Sequence, residues 1–157
     1  MSGSSDPIRS AVGVCGVTFG KNVRIVEPCN LYGCVLEDDV FVGPFVEIQQ
    51  GVRVGKGTRI QSHAFLCEGV TIGEECVISH GAMFINDLFR GGPARGDRSK
   101  WKKTHLADRV YVGTNATILP VRIVSGVVIG AGAVVTRDIT EPGTYAGNPA
   151  RKIRKSK

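Results

Sequence analysis

Between residues 36 and 84 an apolar side chain returns at every sixth position. Leu36, Val42, Ile48, Val54, Ile60, Leu66, Ile72, Ile78 and Phe84 form the series without a gap. In a chain that is 42% hydrophobic, nine such hits in one frame would arise by chance roughly once in a few thousand trials. A second marker stands four places after each apolar residue. Val40, Val46, Val52, Thr58, Ala64, Val70, Cys76 and Ala82 are all small or β-branched. Each hexad therefore carries two inward positions.

A helix cannot use this period, because six residues at 3.6 per turn carry a position to the opposite side of the cylinder. One long strand is excluded as well, since Gly43, Gly51, Gly55, Gly57, Gly69 and Gly73 interrupt it too often. Short straight segments joined by corners fit both facts, with glycine at corners that need positive φ and β-branched residues in the straight parts. Three segments close one triangular coil, and stacked coils bury a continuous column of aliphatic side chains. The 157 residues thus read as a single domain.

The arm from 1 to 10 reads as loose, with coils over 17–86 and 110–138. Phe19, Ile25 and Leu31 set a first frame, which slips by one residue to Leu36 at an irregular corner near Tyr32 and Gly33. After Phe84 the period stops, and residues 87–109, rich in Gly, Pro and charge, read as an excursion loop. Long loops inside regular domains often carry function. The frame returns at Val112 and Ile118, slips once more, and continues through Ile123, Ile129 and Val135. Residues 139–157 then form a cap and a basic tail, in a short helix or an extended segment.

The GAGAVVT run (130–136) followed by GNPAR (147–151) resembles the ending of the hexapeptide-repeat acyltransferases, as does the repeat itself. That resemblance implies an all-β fold, a left-handed parallel β-helix of hexapeptide repeats with one excursion loop and a short C-terminal cap. Physics alone would favour the other hand, since parallel crossovers are right-handed in about 98% of cases. LYGC (31–34), DDVFVGP (38–44), FIND (84–87), ATILP (116–120) and VIGAGAVVT (128–136) are most similar to N-acetyltransferases of nucleotide-linked 3-amino sugars. The implied reaction moves the acetyl group of acetyl-CoA to the amine of a UDP- or dTDP-linked sugar, in polysaccharide or glycan precursor synthesis. The resemblance also implies a homotrimer with CoA and sugar held at subunit interfaces.

Attack of a neutral amine on a thioester requires alignment, stabilisation of an oxyanion, a proton acceptor and a cradle for the CoA phosphates. Asn86 matches the active-site asparagine of the family, although an Asx turn opening the loop is the alternative its residue type allows. His63 and His80, seventeen residues apart, belong on one side of the prism at neighbouring levels. Either is a candidate general base, His63 first because Gln61 and Ser62 stand beside it. The resemblance offers the departing CoA sulfur as the other proton acceptor. Gln49 and Gln61 are candidate contacts to the sugar nucleotide, and Arg90, Arg95 and Arg98 candidates for a carboxylate or diphosphate. Gly130, Ala131 and Gly132 would offer backbone amides and open space to the pantetheine arm. Arg151, Lys152, Arg154 and Lys155 would meet the CoA phosphates, and account for much of the net charge of +6.

No aromatic residues alternate with those cations, so nucleic acid is not an expected partner. Nor is a membrane, because no apolar run reaches a spanning length and the N-terminus lacks a signal peptide's features. The cytoplasm is the expected location. Five cysteines without CxxC spacing argue for reduced thiols. Cys29 and Cys76 take inward positions, Cys34 the irregular corner, Cys67 an outward position, and Cys15 precedes the frame. No metal is expected. The rival enzyme of this fold, a zinc carbonic anhydrase, uses three histidines, and His63, His80 and His105 match the number but not the spacing. A noncatalytic trimeric scaffold is the reading from another class.

Overall fold

The hexad frame becomes three parallel sheets wound around one axis. The computed structural model describes residues 13–89, 99 and 101–153. Among these, the first face stacks Val14–Cys15, Asn30–Tyr32, Glu47–Ile48, Phe65–Leu66, Met83–Phe84, Thr117–Ile118 and Val134–Val135. The second stacks Thr18–Phe19, Val35–Leu36, Arg53–Val54, Val70–Ile72, Thr104–Leu106 and Arg122–Ile123. The third runs from Arg24–Ile25 through Phe41–Val42, Arg59–Ile60, Val77–Ile78, Tyr111–Val112 and Val127–Ile129 to Gly143–Ala146. The result is an all-β solenoid of about seven turns, consistent with a left-handed β-helix of hexapeptide repeats. Among the described residues no helix is long and apolar enough to cross a membrane.

Register follows the sequence period. Val42 pairs with Ile60 and Ile60 with Ile78, eighteen residues per turn. Leu31 pairs with Ile48 and Ile118 with Val135, seventeen apart, which places both slips between the first and second faces. The excursion leaves at that same corner. Ile72 pairs with Leu106, thirty-four residues on, so sixteen residues beyond one turn lie outside the ladder. The loop is shorter than the sequence indicated, because Thr104–Leu106 rejoins the second face with Leu106 fully buried. Leu106 stands six residues before Val112 and extends the frame by one step. Phe19 keeps its inward register opposite Leu36 but remains 46% exposed at the open end of the described prism.

The inner column is mostly aliphatic, with Phe84 and four cysteines among its members, and each fully buried Leu, Ile or Val contributes about 1.5–3 kcal/mol. Turns lie close enough that some corners tolerate only glycine. A Cβ on Gly55 would stand 2.6 Å from the carbonyl carbon of Gly73 in the next turn. At the corner between the second and third faces, Asp38 and Asp108 each accept, through Oδ1, the backbone N–H of a residue one turn below, Lys21 and Glu74; Asp138 does the same for Arg122 where the chain enters the second face. At the far end, Arg151–Lys152 returns antiparallel against Gly143–Ala146, and Lys152 Nζ lies 2.8 Å from Glu141. An extended hairpin, not a helix, is the cap.

Thr58 occupies an inward small position with no exposure, and its hydroxyl is satisfied twice. Oγ1 donates to the Gly73 carbonyl at 2.9 Å and accepts the Cys76 N–H at 2.9 Å. Thr58→Val keeps the shape but strands both backbone groups, so the expected loss is about 1–3 kcal/mol. Denaturant titration checks it: the midpoint falls while the slope stays constant.

Candidate active site

Two corners of the first face gather the polar side chains singled out by the sequence. The corner entering that face, between the third and first faces, holds a column of left-handed residues. Phe45, His63, Gly81, Asn115 and Gly132 take φ values of 61°, 64°, 66°, 56° and 67°. Gly is ordinary there and Asn and His are the side chains most often tolerated, whereas Phe is uncommon. The residues one place earlier, Pro44, Ser62, His80, Thr114 and Ala131, form a second column, since each carbonyl from Pro44 to Thr114 accepts the left-handed amide one turn above.

His63 and His80 do share a corner, but they are not opposite one another. The eighteen-residue turn sets His80 over Ser62 and His63 over Phe45. Ser62 Oγ lies 2.7 Å from His80 Nδ1. The His63 ring packs on Phe45, with centroids 4.9 Å apart and planes tilted by 35°. Phe45 is nevertheless 56% exposed. Gln61 precedes this turn, half-buried, its backbone carbonyl taken by Ala64 N–H at 3.3 Å. Above His80 the next turn carries Thr114 and Asn115, whose amide lies over Gly81, and the corner opens only at Gly132, where a Cβ would meet nothing within 4 Å.

The glycine run at 130–132 is open only at Gly132, since a Cβ on Gly130 would stand 2.9 Å from Ala146 Cβ, and it supplies fewer donors than expected. Gly130 N–H is bonded to the Tyr145 carbonyl at 2.7 Å, and Gly132 N–H to the Thr114 carbonyl at 2.8 Å. Solenoid bonding consumes both amides. Lys152 is likewise engaged, because the hydrogen bond and charge of Glu141 hold the pair together and keep its ammonium in the charged form. Arg151 is exposed beside it, with Nη1 on the Ala150 carbonyl. A hollow of about 210 Å³ at this end brings Arg151 and Lys152 together with Arg137, which sequence reasoning did not select. Arg154 lies outside the described residues.

The opposite corner of the first face opens into the excursion. A cleft of about 330 Å³ lies there, lined by Gln49, Phe65, Asn86, Asp87, Phe89 and Trp101 among others. Asn86 does not build the Asx turn. Asp87 does, accepting Phe89 N–H through Oδ1 at 2.7 Å. Asn86 instead donates from Nδ2 to the Glu68 carbonyl one turn below, at 3.0 Å, and its own carbonyl accepts Lys102 N–H at 3.0 Å. Because only the NH₂ end can donate to a carbonyl, the amide plane is fixed and Oδ1 is left as an acceptor without a described partner. Gln49 is spent internally: Nε2 donates to Glu47 and Oε1 accepts Glu68 N–H. Arg90, Arg95 and Arg98 lie outside the described residues.

His105 stands on the second face, paired between Thr71 and Arg122, so within one chain the three histidines do not converge. Cys67 points inward and is 3% exposed, against the outward placement read from its neighbour Leu66. Burial pushes its thiol up to about 12 and that of Cys34 up to about 11, with Cys29 and Cys76 also raised by burial. A thiol held neutral at ordinary pH is no nucleophile.

Two family models match the chain: "Bacterial transferase hexapeptide (six repeats)" over residues 33–68 and "Hexapeptide repeat of succinyl-transferase" over residues 108–137. The bifunctional protein GlmU of Thermotoga petrophila is 33% identical over 131 residues, covering 77% of this chain and 29% of its own length. The chain thus spans under a third of that relative. Serine acetyltransferase (CysE) of Neisseria gonorrhoeae superposes with a TM-score of 0.59 at 30% identity, over 70% of this chain and 41% of that one. A hexapeptide-repeat-containing acetyltransferase of Vibrio cholerae O1 biovar eltor, complexed with acetyl coenzyme A, gives a TM-score of 0.64 at 25% identity. That match covers 78% of this chain and 70% of the other.

The cysteine environments give a direct check. Cys15 is exposed and the other four are buried. At mildly alkaline pH a disulfide reagent should titrate one thiol rapidly in the folded protein and all five after denaturation. Rapid reaction of a second thiol would contradict the placement of Cys67.

Proposed function

Taking the chain as a hexapeptide-repeat transferase, which the family matches and the acetyltransferase neighbours support, we propose that it transfers the acetyl group of acetyl-CoA to the amine of a UDP- or dTDP-linked 3-amino sugar. Asn86 carries this reading. Its Oδ1, fixed as an acceptor at the edge of an aromatic-lined cleft, suits an amine N–H and would hold the nitrogen lone pair toward an incoming carbonyl. Phe65, Phe89 and Trp101 give a sugar or a base apolar faces to lie on.

Acetyl-CoA would lie along the other corner of the same face. Its anionic end would meet Arg151, which pairs with Ala146 beside that corner, and its pantetheine arm would descend past the open position at Gly132 toward the histidines. Turns about 4.8 Å apart set the spacing of that column. The amine nitrogen attacks the thioester carbonyl, the C–S bond breaks, and the amine proton ends on the CoA sulfur. Amide and free thiol are the products. Neither a covalent enzyme intermediate nor a metal is required by this chemistry.

Within one chain, Asn86 follows His80 by six residues, a whole side of the triangle and roughly 15 to 20 Å. Proton transfer needs contact at about 3 Å. If both residues serve one transfer, the cleft of one copy must face the histidine corner of another, which is the arrangement a homotrimer would provide. Product would enter polysaccharide or glycan precursor synthesis in the cytoplasm.

A thiol-release assay with acetyl-CoA and a panel of 3-amino and 4-amino UDP and dTDP sugars tests the proposal. Turnover is expected on a 3-amino sugar, with Asn86→Ala lowering kcat/KM by about a hundredfold. Failure on every amine would sink it.

A further inference from the structure

The transfer proposed above releases a proton, and the geometry points to Ser62 as the positioning residue that prepares His80 to receive it. The inference rests on the acetyl-transfer reading. Ser62 is adjacent to His63 in sequence, yet the turn length gives it to His80. Oγ to Nδ1 is 2.7 Å, a short hydrogen bond between a hydroxyl and an imidazole nitrogen.

Which ring nitrogen carries the proton is set by the bond the other one makes. A hydroxyl oxygen accepting from Nδ1–H leaves Nε2 with its lone pair. Nε2 of His80 has no partner among the described residues, and the side chain is exposed at the corner. Proton uptake at Nε2 then breaks nothing, because the imidazolium keeps its Nδ1–H bond to Ser62. The reverse arrangement, with the hydroxyl donating, would leave Nε2–H and no base. His63 has neither anchor: its contact is the Phe45 ring. The corner thereby divides two histidines that look equivalent in sequence into a proton acceptor and a stacked neighbour.

In the balanced step the sugar amine forms the new C–N bond and passes one N–H proton to His80 Nε2. The C–S bond breaks and the sulfur leaves as thiolate. Nε2 then returns the proton to that thiolate, so the histidine ends the cycle neutral and free CoA departs as the thiol.

Imidazole nitrogen spectra of ¹⁵N-labelled protein at mildly alkaline pH read the tautomer independently of any substrate. Wild type should show His80 protonated on Nδ1, Ser62→Ala should move the proton to Nε2, and Ser62→Thr should restore it. In the transfer assay, Ser62→Ala should lower kcat roughly tenfold to a hundredfold at unchanged KM for acetyl-CoA, with most activity recovered in Ser62→Thr. Turnover by a wild-type enzyme whose His80 is protonated on Nε2 would overturn the positioning role and leave the transfer reading intact. The Nδ1–H tautomer without turnover on any amine would overturn the transfer reading, and with it the role of His80 as base.

Discussion

The constraint beneath everything else is the parallel hydrogen-bond ladder between successive turns. Once Val42 pairs with Ile60 and Ile60 with Ile78, every residue is stacked on the one a full turn away. Departures from that rule are confined to one place. Both one-residue slips and the sixteen-residue excursion occur between the first and second faces. The other two corners keep their steps of six, so their columns run unbroken along the axis. A regular corner is therefore available as a track, and an irregular one as a pocket.

That division explains how one simple solenoid can present two kinds of site. The regular corner lines up Ser62 and His80, with the Asn115 side chain over Gly81 and open space at Gly132. The irregular corner lets chain leave the prism and brings Phe89 and Trp101 over a face whose outward residues are otherwise dictated by strand alternation. Asn86 stands at the junction, tied to the Glu68 carbonyl by the same register that builds the core. In the proposed transfer one face would lie between the donor and acceptor sites of a single chain, a separation that side-by-side association of copies would close.

Much of this was legible in the sequence because a period of six maps directly onto inward positions. The aliphatic column, Cys29 and Cys76 in the core, the slips and the excursion all follow from counting. Handedness does not, since periodicity is blind to chirality. Pairings within the corner needed the turn length: a spacing of seventeen brought His63 and His80 together, whereas eighteen joins Ser62 to His80 and Phe45 to His63. Groups whose donors are already engaged were also out of reach. Gln49, Lys152 and the amides of Gly130 and Gly132 have suitable chemistry, but neighbours one turn away or in the cap occupy them. Leu106 was recoverable from the frame itself, by one step back from Val112.

Backbone amide shifts on titration with acetyl-CoA would test the track most directly. The account predicts shifts that follow the histidine corner, at His63, Gly81, Asn115 and Gly132, and extend to Arg151 at the end of the prism. Shifts confined to the second face, or none at saturating acetyl-CoA, would contradict it.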